Sequence, residues 1–224
     1  MKPWIFLLAL CLLAACAPDQ QAAEQSPPKE KRIPGPPPQL VSITFSREDT
    51  ALHYSARVTY PGIREDLAFN QAVQASLKSA LDNFEAFIQD FNGEGRTLRS
   101  EYQAVQLSDT VASIRQMYEW AVPGTSTLLY DFHNINYNPS THQLIELESL
   151  FKPGTDYRSL LRQRLQDKIQ SRFKVQVPIT DADLATFTIG GSFLEFYKVL
   201  YPEVMEPDPK AIRIEFSELK GRRS

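Results

Sequence analysis

Hydrophobic and polar residues alternate in two stretches from about residue 40. Val41, Ile43 and Phe45 alternate with Ser42, Thr44 and Ser46, and beyond a polar turn at 47–50 the set Leu52, Tyr54, Ala56, Val58 and Tyr60 alternates again. A period of two assigns one set to each face of a strand, so the spacing predicts an antiparallel pair with a core face and a wet face. His53, Ser55, Arg57 and Thr59 fall on the wet face. After Tyr60-Pro61-Gly62 the period changes. Phe69, Val73, Leu77, Leu81, Phe84, Ile88 and Phe91 recur at steps of three and four, which predicts a long amphipathic helix from about Asp66. Asn92-Gly93, residues that tolerate the left-handed conformation, end it.

Three extended stretches follow at 101–107, 110–121 and 127–137, with a Pro123-Gly124 turn between the last two. In the second, Ile114, Gln116, Tyr118 and Trp120 share a face. In the third, Leu128, Tyr130 and Phe132 take one face and Leu129, Asp131, His133 and Ile135 the other, and apolar groups on both faces predict a central strand. Asn138-Pro139-Ser140 turns the chain into a short strand at 143–147. A second helix is predicted with Thr155 or Asp156 as its cap and Tyr157, Leu161, Leu165, Ile169 and Phe173 as its buried stripe. Segments 186–189, 193–200 and 211–216 read as strands, with Pro202, Pro207 and Pro209 in the connecting loop. The expected fold is α+β: a mixed, mainly antiparallel sheet with two long amphipathic helices, spanning residues 39–224. Two halves, 39–107 and 108–224, sharing one core are the alternative division.

Composition fits a globular domain, with 42% hydrophobic and 23% charged residues. A net charge of -3 gives no general attraction for nucleic acid, so none is expected as a partner. The chain has only two cysteines, Cys11 and Cys16.

The first residues follow a different pattern. Lys2 precedes an apolar run from Trp4 to Leu12, too short for the roughly 20 residues a bilayer demands, and Leu13-Ala14-Ala15-Cys16 follows. This string resembles the lipobox of bacterial lipoproteins. The resemblance implies a signal peptide over 1–15, cleavage before Cys16, and a fatty-acyl (palmitate-type) anchor on that cysteine. Cys11 is preceded by Leu10, where such a peptidase needs a small residue. With Cys11 removed and Cys16 acylated, no thiol remains for a disulfide, a nucleophile or a zinc site. Ala17 rather than Asp follows the cysteine, which implies an outer-membrane position facing the periplasm, in a bacterium that has one. Residues 16–38 hold seven of the sixteen prolines and almost nothing large and apolar, so they predict a tether. In a polyproline II conformation it would reach about 60–70 Å.

Tyr60-Pro61 with Asn70, the string Leu144-Ile145-Glu146-Leu147-Glu148-Ser149-Leu150-Phe151 followed by Tyr157, Leu160 and Leu161, then Phe187-Thr188-Ile189 and the segment 211–219 carry a wider resemblance. In these strings and in element order, residues 60–220 look like the envelope domain of a bacterial family of largely unknown function. That family includes a lysozyme-sensing anti-sigma factor and a domain accompanying some peptidoglycan deacetylases. Where many relatives carry a Gly-Ala-His element, this chain has Val122-Pro123-Gly124-Thr125-Ser126. The resemblance implies an α+β domain that binds a partner at the envelope, with no catalytic residues to carry over.

Candidate chemistry is sparse. Asp131, His133 and His142 cluster around a turn but match no established zinc spacing, so neither a metal nor a cofactor is implied. Gly190-Gly191-Ser192 reads as a turn rather than a nucleophile elbow. On the second helix Arg158 and Arg162 lie one turn apart and could meet an anionic partner, against the plainer reading of a solvated face. Tyr118 and Trp120 are candidates for stacking on sugar rings, against the plainer reading of core residues. Together these observations predict a lipid-anchored envelope module binding peptidoglycan or a protein that acts on it, with an envelope hydrolase or deacetylase as the alternative.

Overall fold

The two alternating stretches form β1 (Leu40–Asp49) and β2 (Tyr54–Ile63), paired antiparallel from Leu40 opposite Ile63 to Asp49 opposite Tyr54. The computed structural model describes residues 35–89, 96–121, 128–206 and 208–221. Cys16, the signal peptide and the tether before residue 35 therefore lie outside the described residues, as does the Val122–Ser126 element. Tyr54, Ala56 and Val58 are buried while Ser55 and Arg57 are exposed, as the alternation of β2 requires. β1 departs from its predicted core face: Phe45 packs on the core, but Val41 and Ile43 remain 41% and 38% exposed because β1 is the outer strand of the sheet.

Helix α1 (Leu67–Gln89) buries Phe69, Val73, Leu77, Ala80, Phe84 and Ile88, one stripe at helical spacing. Asp66 caps it by accepting a hydrogen bond from Phe69 N at 3.0 Å. Asn70 then clamps the helix to the end of β2, its Oδ1 accepting from Ile63 N and its Nδ2 donating to Ile63 O, at 3.0 and 2.9 Å. Gly62 makes this approach possible. A Cβ at that position would stand 3.0 Å from Ile43 Cδ1 and 3.3 Å from Asn70 Oδ1.

The chain returns in β3 (Arg96–Leu107), parallel to β2, so α1 is a crossover connection. β3 pairs antiparallel with β4 (Ala112–Ala121). The third extended stretch is interrupted rather than single, forming β5 (Leu128–Phe132) and β6 (Ile135–Asn138). Both keep one register against β4, with Phe132 opposite Met117 and Ile135 opposite Ile114, and His133 N donates to Gln116 O in the gap. β6 lies between β4 and β7 (Gln143–Leu144), whereas β5, among the described residues, pairs with β4 alone. Apolar groups on both faces of β5 therefore mark coverage on both faces, not a neighbour on both edges.

The second half begins with a 3₁₀ turn over Leu147–Leu150 and continues in α2 (Tyr157–Phe173) and the short α3 (Asp181–Ala185). Strands β8 (Thr188–Ile189), β9 (Phe193–Lys198) and β10 (Lys210–Glu215) form a second antiparallel sheet in the order β10-β9-β8. Leu194, Phe196, Ile212 and Ile214 pack with Leu161, Leu165 and Ile169 of α2. The opposite face of the second sheet meets the first, where Tyr197 stacks on Phe132 with ring centroids 5.1 Å apart. A mixed, mainly antiparallel main sheet flanked by α1 and by this second layer makes the fold α+β. Among the described residues no helix is long and apolar enough to cross a membrane.

Candidate ligand-binding cleft

A cleft of about 390 Å³ opens where the two layers meet. One wall is the chain from Leu144 to Glu148, and the other is formed by Tyr157 and Arg158 of α2 with Asp181 and Leu184 of α3. Asn134, Asn136 and Phe187 close its inner end.

Each wall is held by identifiable bonds. The first follows from β6, since Ile145 N donates to Asn136 O at 2.7 Å and extends the pairing of Tyr137 with Leu144. The start of α2 is fixed by Asp156, whose Oδ1 accepts from Ser159 N at 3.2 Å. Bonds from the Ser159 hydroxyl and amide hold the Asp156 carboxyl below its ordinary range. Below Tyr157 lies Phe151, the two rings stacked 5.2 Å apart. Helix α3 starts with a reciprocal capping box between Thr180 and Asp183, and Lys198 of β9 donates to both Asp183 oxygens at 2.9 and 2.8 Å.

The inner end is a buried polar seam. Ser113 Oγ donates to Asn136 Oδ1 at 2.6 Å and accepts from Ile189 N at 2.8 Å, while Asn136 Nδ2 donates to Phe187 O at 2.9 Å. Asn134 Nδ2 donates to Thr186 O, and the buried Asn134 Oδ1 has no hydrogen-bond partner among the described residues. Side chains of β4 and β6 thus satisfy the outward backbone groups at the edge of β8.

Arg158 and Arg162, the basic pair singled out from sequence, converge on Asp181. Arg162 Nη2 lies 2.6 Å from Asp181 Oδ1, and Arg158 Nη1 lies 3.6 Å from Oδ2. Arg158 Nε donates to Tyr157 Oη at 3.2 Å, and that bond, with the charges of Asp181 and Glu148 beside it, holds the guanidinium above its ordinary pKa. Arg158 lines the cleft, and Arg162 stands on the next turn of the helix. Two arginines sharing one exposed carboxylate beside the Tyr157 ring can take an oxyanion, while the amides of Asn134 and Asn136 are engaged in the seam behind them.

Tyr118 and Trp120 are not part of this arrangement. Tyr118 is 1% exposed and its ring lies against His133, while Trp120 packs on Phe84 and Phe87 of α1. Their face of β4 is the one α1 covers, so neither offers a platform to a sugar ring. The histidine cluster is divided as well. His133 Nε2 pairs with Asp131 Oδ2 at 2.8 Å, whereas His142 Nδ1 lies 3.2 Å from Asp66 Oδ2. Asp181, Asn134 and Asn136 were not singled out from sequence. Thr180-x-x-Asp183 was a signal for the helix that carries Asp181. Asn136 of β6 and Asn134, in the gap just before that strand, sit two apart and alternate with the apolar Ile135 and Tyr137.

No family model matches this sequence, and no curated protein matches it. Solved structures do match. The chain is similar in fold to a DUF3298 family protein from Pseudomonas aeruginosa PAO1, with 13% sequence identity, a TM-score of 0.62, and coverage of 84% of this chain and 95% of that one. It is also similar to a member of the same family from Bacteroides fragilis NCTC 9343, at 14% identity and a TM-score of 0.54, covering 84% of this chain and 94% of that one. At these identities the likeness is one of fold, to a bacterial domain family of unknown function.

Proposed function

We propose that this chain is a lipid-anchored binding module of the bacterial cell envelope, recognising peptidoglycan or a protein that acts on it through the cleft at Arg158. The observation that carries the reading is the convergence of Arg158 and Arg162 on Asp181, at the rim of a cleft walled by Leu144–Glu148, the string on which the family resemblance chiefly rests. Peptidoglycan presents carboxylates on its peptides, which are partners that arginine side chains take. The Leu13-Ala14-Ala15-Cys16 string supports an acyl anchor at Cys16, and the proline-rich residues 16–38 support a tether that lets the domain search the space beside its membrane. Ala17 after the cysteine supports a place on the outer membrane, facing the periplasm, in a bacterium with two membranes. The similarity to the envelope domains of a lysozyme-sensing anti-sigma factor and of some peptidoglycan deacetylases belongs to the same proposal.

A pull-down from envelope extract tests it. The full chain should retain peptidoglycan fragments or a cell-wall-acting protein, and the variant carrying Arg158→Glu and Arg162→Glu should lose them. Release of soluble products from purified peptidoglycan would instead favour a hydrolase or deacetylase.

A further inference from the structure

The three-stranded sheet has two outer edges, and the structure treats them differently. At β8 the outward groups Phe187 O and Ile189 N are bonded by Asn136 and Ser113. At β10 the direction of the backbone groups is fixed by Phe216 N, which donates to Ser192 O at 2.7 Å in continuation of the β9–β10 register. Alternation in an antiparallel ladder then turns Ile214 and Ile212 toward β9 and turns Ala211, Arg213 and Glu215 outward. The side-chain bonds agree. Ala211 O accepts from Arg172 Nη1 at 3.2 Å, and Glu215 N donates to Glu218 Oε1 at 2.8 Å. Among the described residues, the amides of Ala211 and Arg213 and the carbonyl of Arg213 have no partner in the ladder.

This edge forms one wall of a groove of about 550 Å³, whose other wall is the last two turns of α2 with Lys168, Arg172 and Phe173. An edge strand beside a helix, with free main-chain groups between them, is the geometry in which an extended peptide adds as a further strand. The groove is basic. Arg172 makes its bond to a carbonyl and its guanidinium lies over Phe173, while Lys168 and Arg213 each face one carboxylate, Glu218 and Glu195, at 2.9 and 2.5 Å. Three cations therefore face two carboxylates, and of these the Glu195 side chain is only 6% exposed. Among the described residues the outer edge of β1 is also unpaired, but it carries one cation and two carboxylates, Arg47, Glu48 and Asp49, where the β10 groove is lined by three cations. The chain's own 16–38 segment is a poor strand because its prolines lack the amides a ladder needs.

We propose that the β10 edge is a docking site for an extended acidic peptide of a partner protein, which adds as a fourth strand between β10 and α2. The test uses the purified full chain and a fluorescein-labelled peptide alternating glutamate and valine. It should bind, its lysine–valine counterpart should not, and exchange of the Arg213 amide should slow when it does. Ala211→Pro removes an outward amide and leaves the bonds to β9 and the Arg213–Glu195 pair intact, so affinity should fall at least about tenfold with the melting temperature kept. Should that variant fail to fold, Arg172→Glu provides the second comparison, with a similar loss expected. Absence of binding, equal binding by both variants, or an Arg213 amide that exchanges at the same rate with and without peptide would overturn the proposal. A peptide held by charge alone would give the last of these results.

Discussion

Arg162 Nη2 stands 2.6 Å from Asp181 Oδ1, so a carboxylate of the protein itself occupies the position that an anionic ligand of the cleft would take. Asp181 is 60% exposed, and an ion pair so open to water is weak. It orients the guanidiniums and, on the proposed function, would yield to a better partner. Asp181→Asn should therefore raise affinity for peptidoglycan fragments by about threefold, with stability little changed. Isothermal titration of the two proteins with the same fragments checks this. A lower affinity in the variant would mean that Asp181 contacts the ligand and is not its competitor.

How much of this was legible in sequence depended on the range of each interaction. The β1–β2 pair and both long helices follow from local periodicity, and the buried stripes of α1 and α2 match it residue by residue at Phe69, Val73, Leu77, Leu161, Leu165 and Ile169. The parallel pairing of β3 with β2 is non-local and leaves no such trace. Periodicity also cannot tell which face of a strand is covered. Tyr118 and Trp120 alternate as a binding face would, and only Phe84 and Phe87 of α1 above Trp120 decide that this face is core. In the cleft, Arg158 and Arg162 were visible as a basic helical face. Asp181 was not, because a five-residue helix is too short to show a period and its capping box is the only local signal.

The Tyr137–Asp66–His142 network should make stability depend on pH. Burial pushes the Asp66 carboxyl up, but bonds from Phe69 N, Tyr137 and His142 outweigh it and hold the group below its ordinary value of about 3.9. A depressed folded-state pKa gives stability that is present above about pH 4 and lost as pH falls through the folded value. Asp66→Asn keeps the shape and removes the charge. It should cost on the order of 1 kcal/mol at pH 7 and less at pH 2.5, measured as urea midpoints. An equal cost at both pH values would show that the charge is not what stabilises the network.

The seam between the layers rests on Asn136, which is 5% exposed and serves both Ser113 and Phe187 O. Asn136→Leu leaves the Ser113 hydroxyl without its acceptor and the buried Phe187 carbonyl without its donor, at a cost of about 2–4 kcal/mol. Urea unfolding should show it as a lower midpoint with an unchanged slope. A loss below about 0.5 kcal/mol would mean that water replaces the amide.

The anchor is tested by Cys16→Ser, which should abolish incorporation of labelled fatty acid. The precursor should then stay uncleaved, or the product should appear in the soluble fraction. Unchanged labelling would rule out Cys16 as the acylated residue.

The central claim, recognition of a wall component through the Arg158 face, is tested most directly by sedimenting the full chain in mild detergent with purified peptidoglycan sacculi. The wild-type chain should pellet with the sacculi and release no soluble product. The Arg158→Glu, Arg162→Glu variant should stay in the supernatant with an unchanged melting temperature, because Leu161, Leu165 and Ile169 on the buried side of α2 are untouched. Equal pelleting of both proteins would place any binding surface elsewhere, and a wild-type chain that never pellets would contradict peptidoglycan as the ligand.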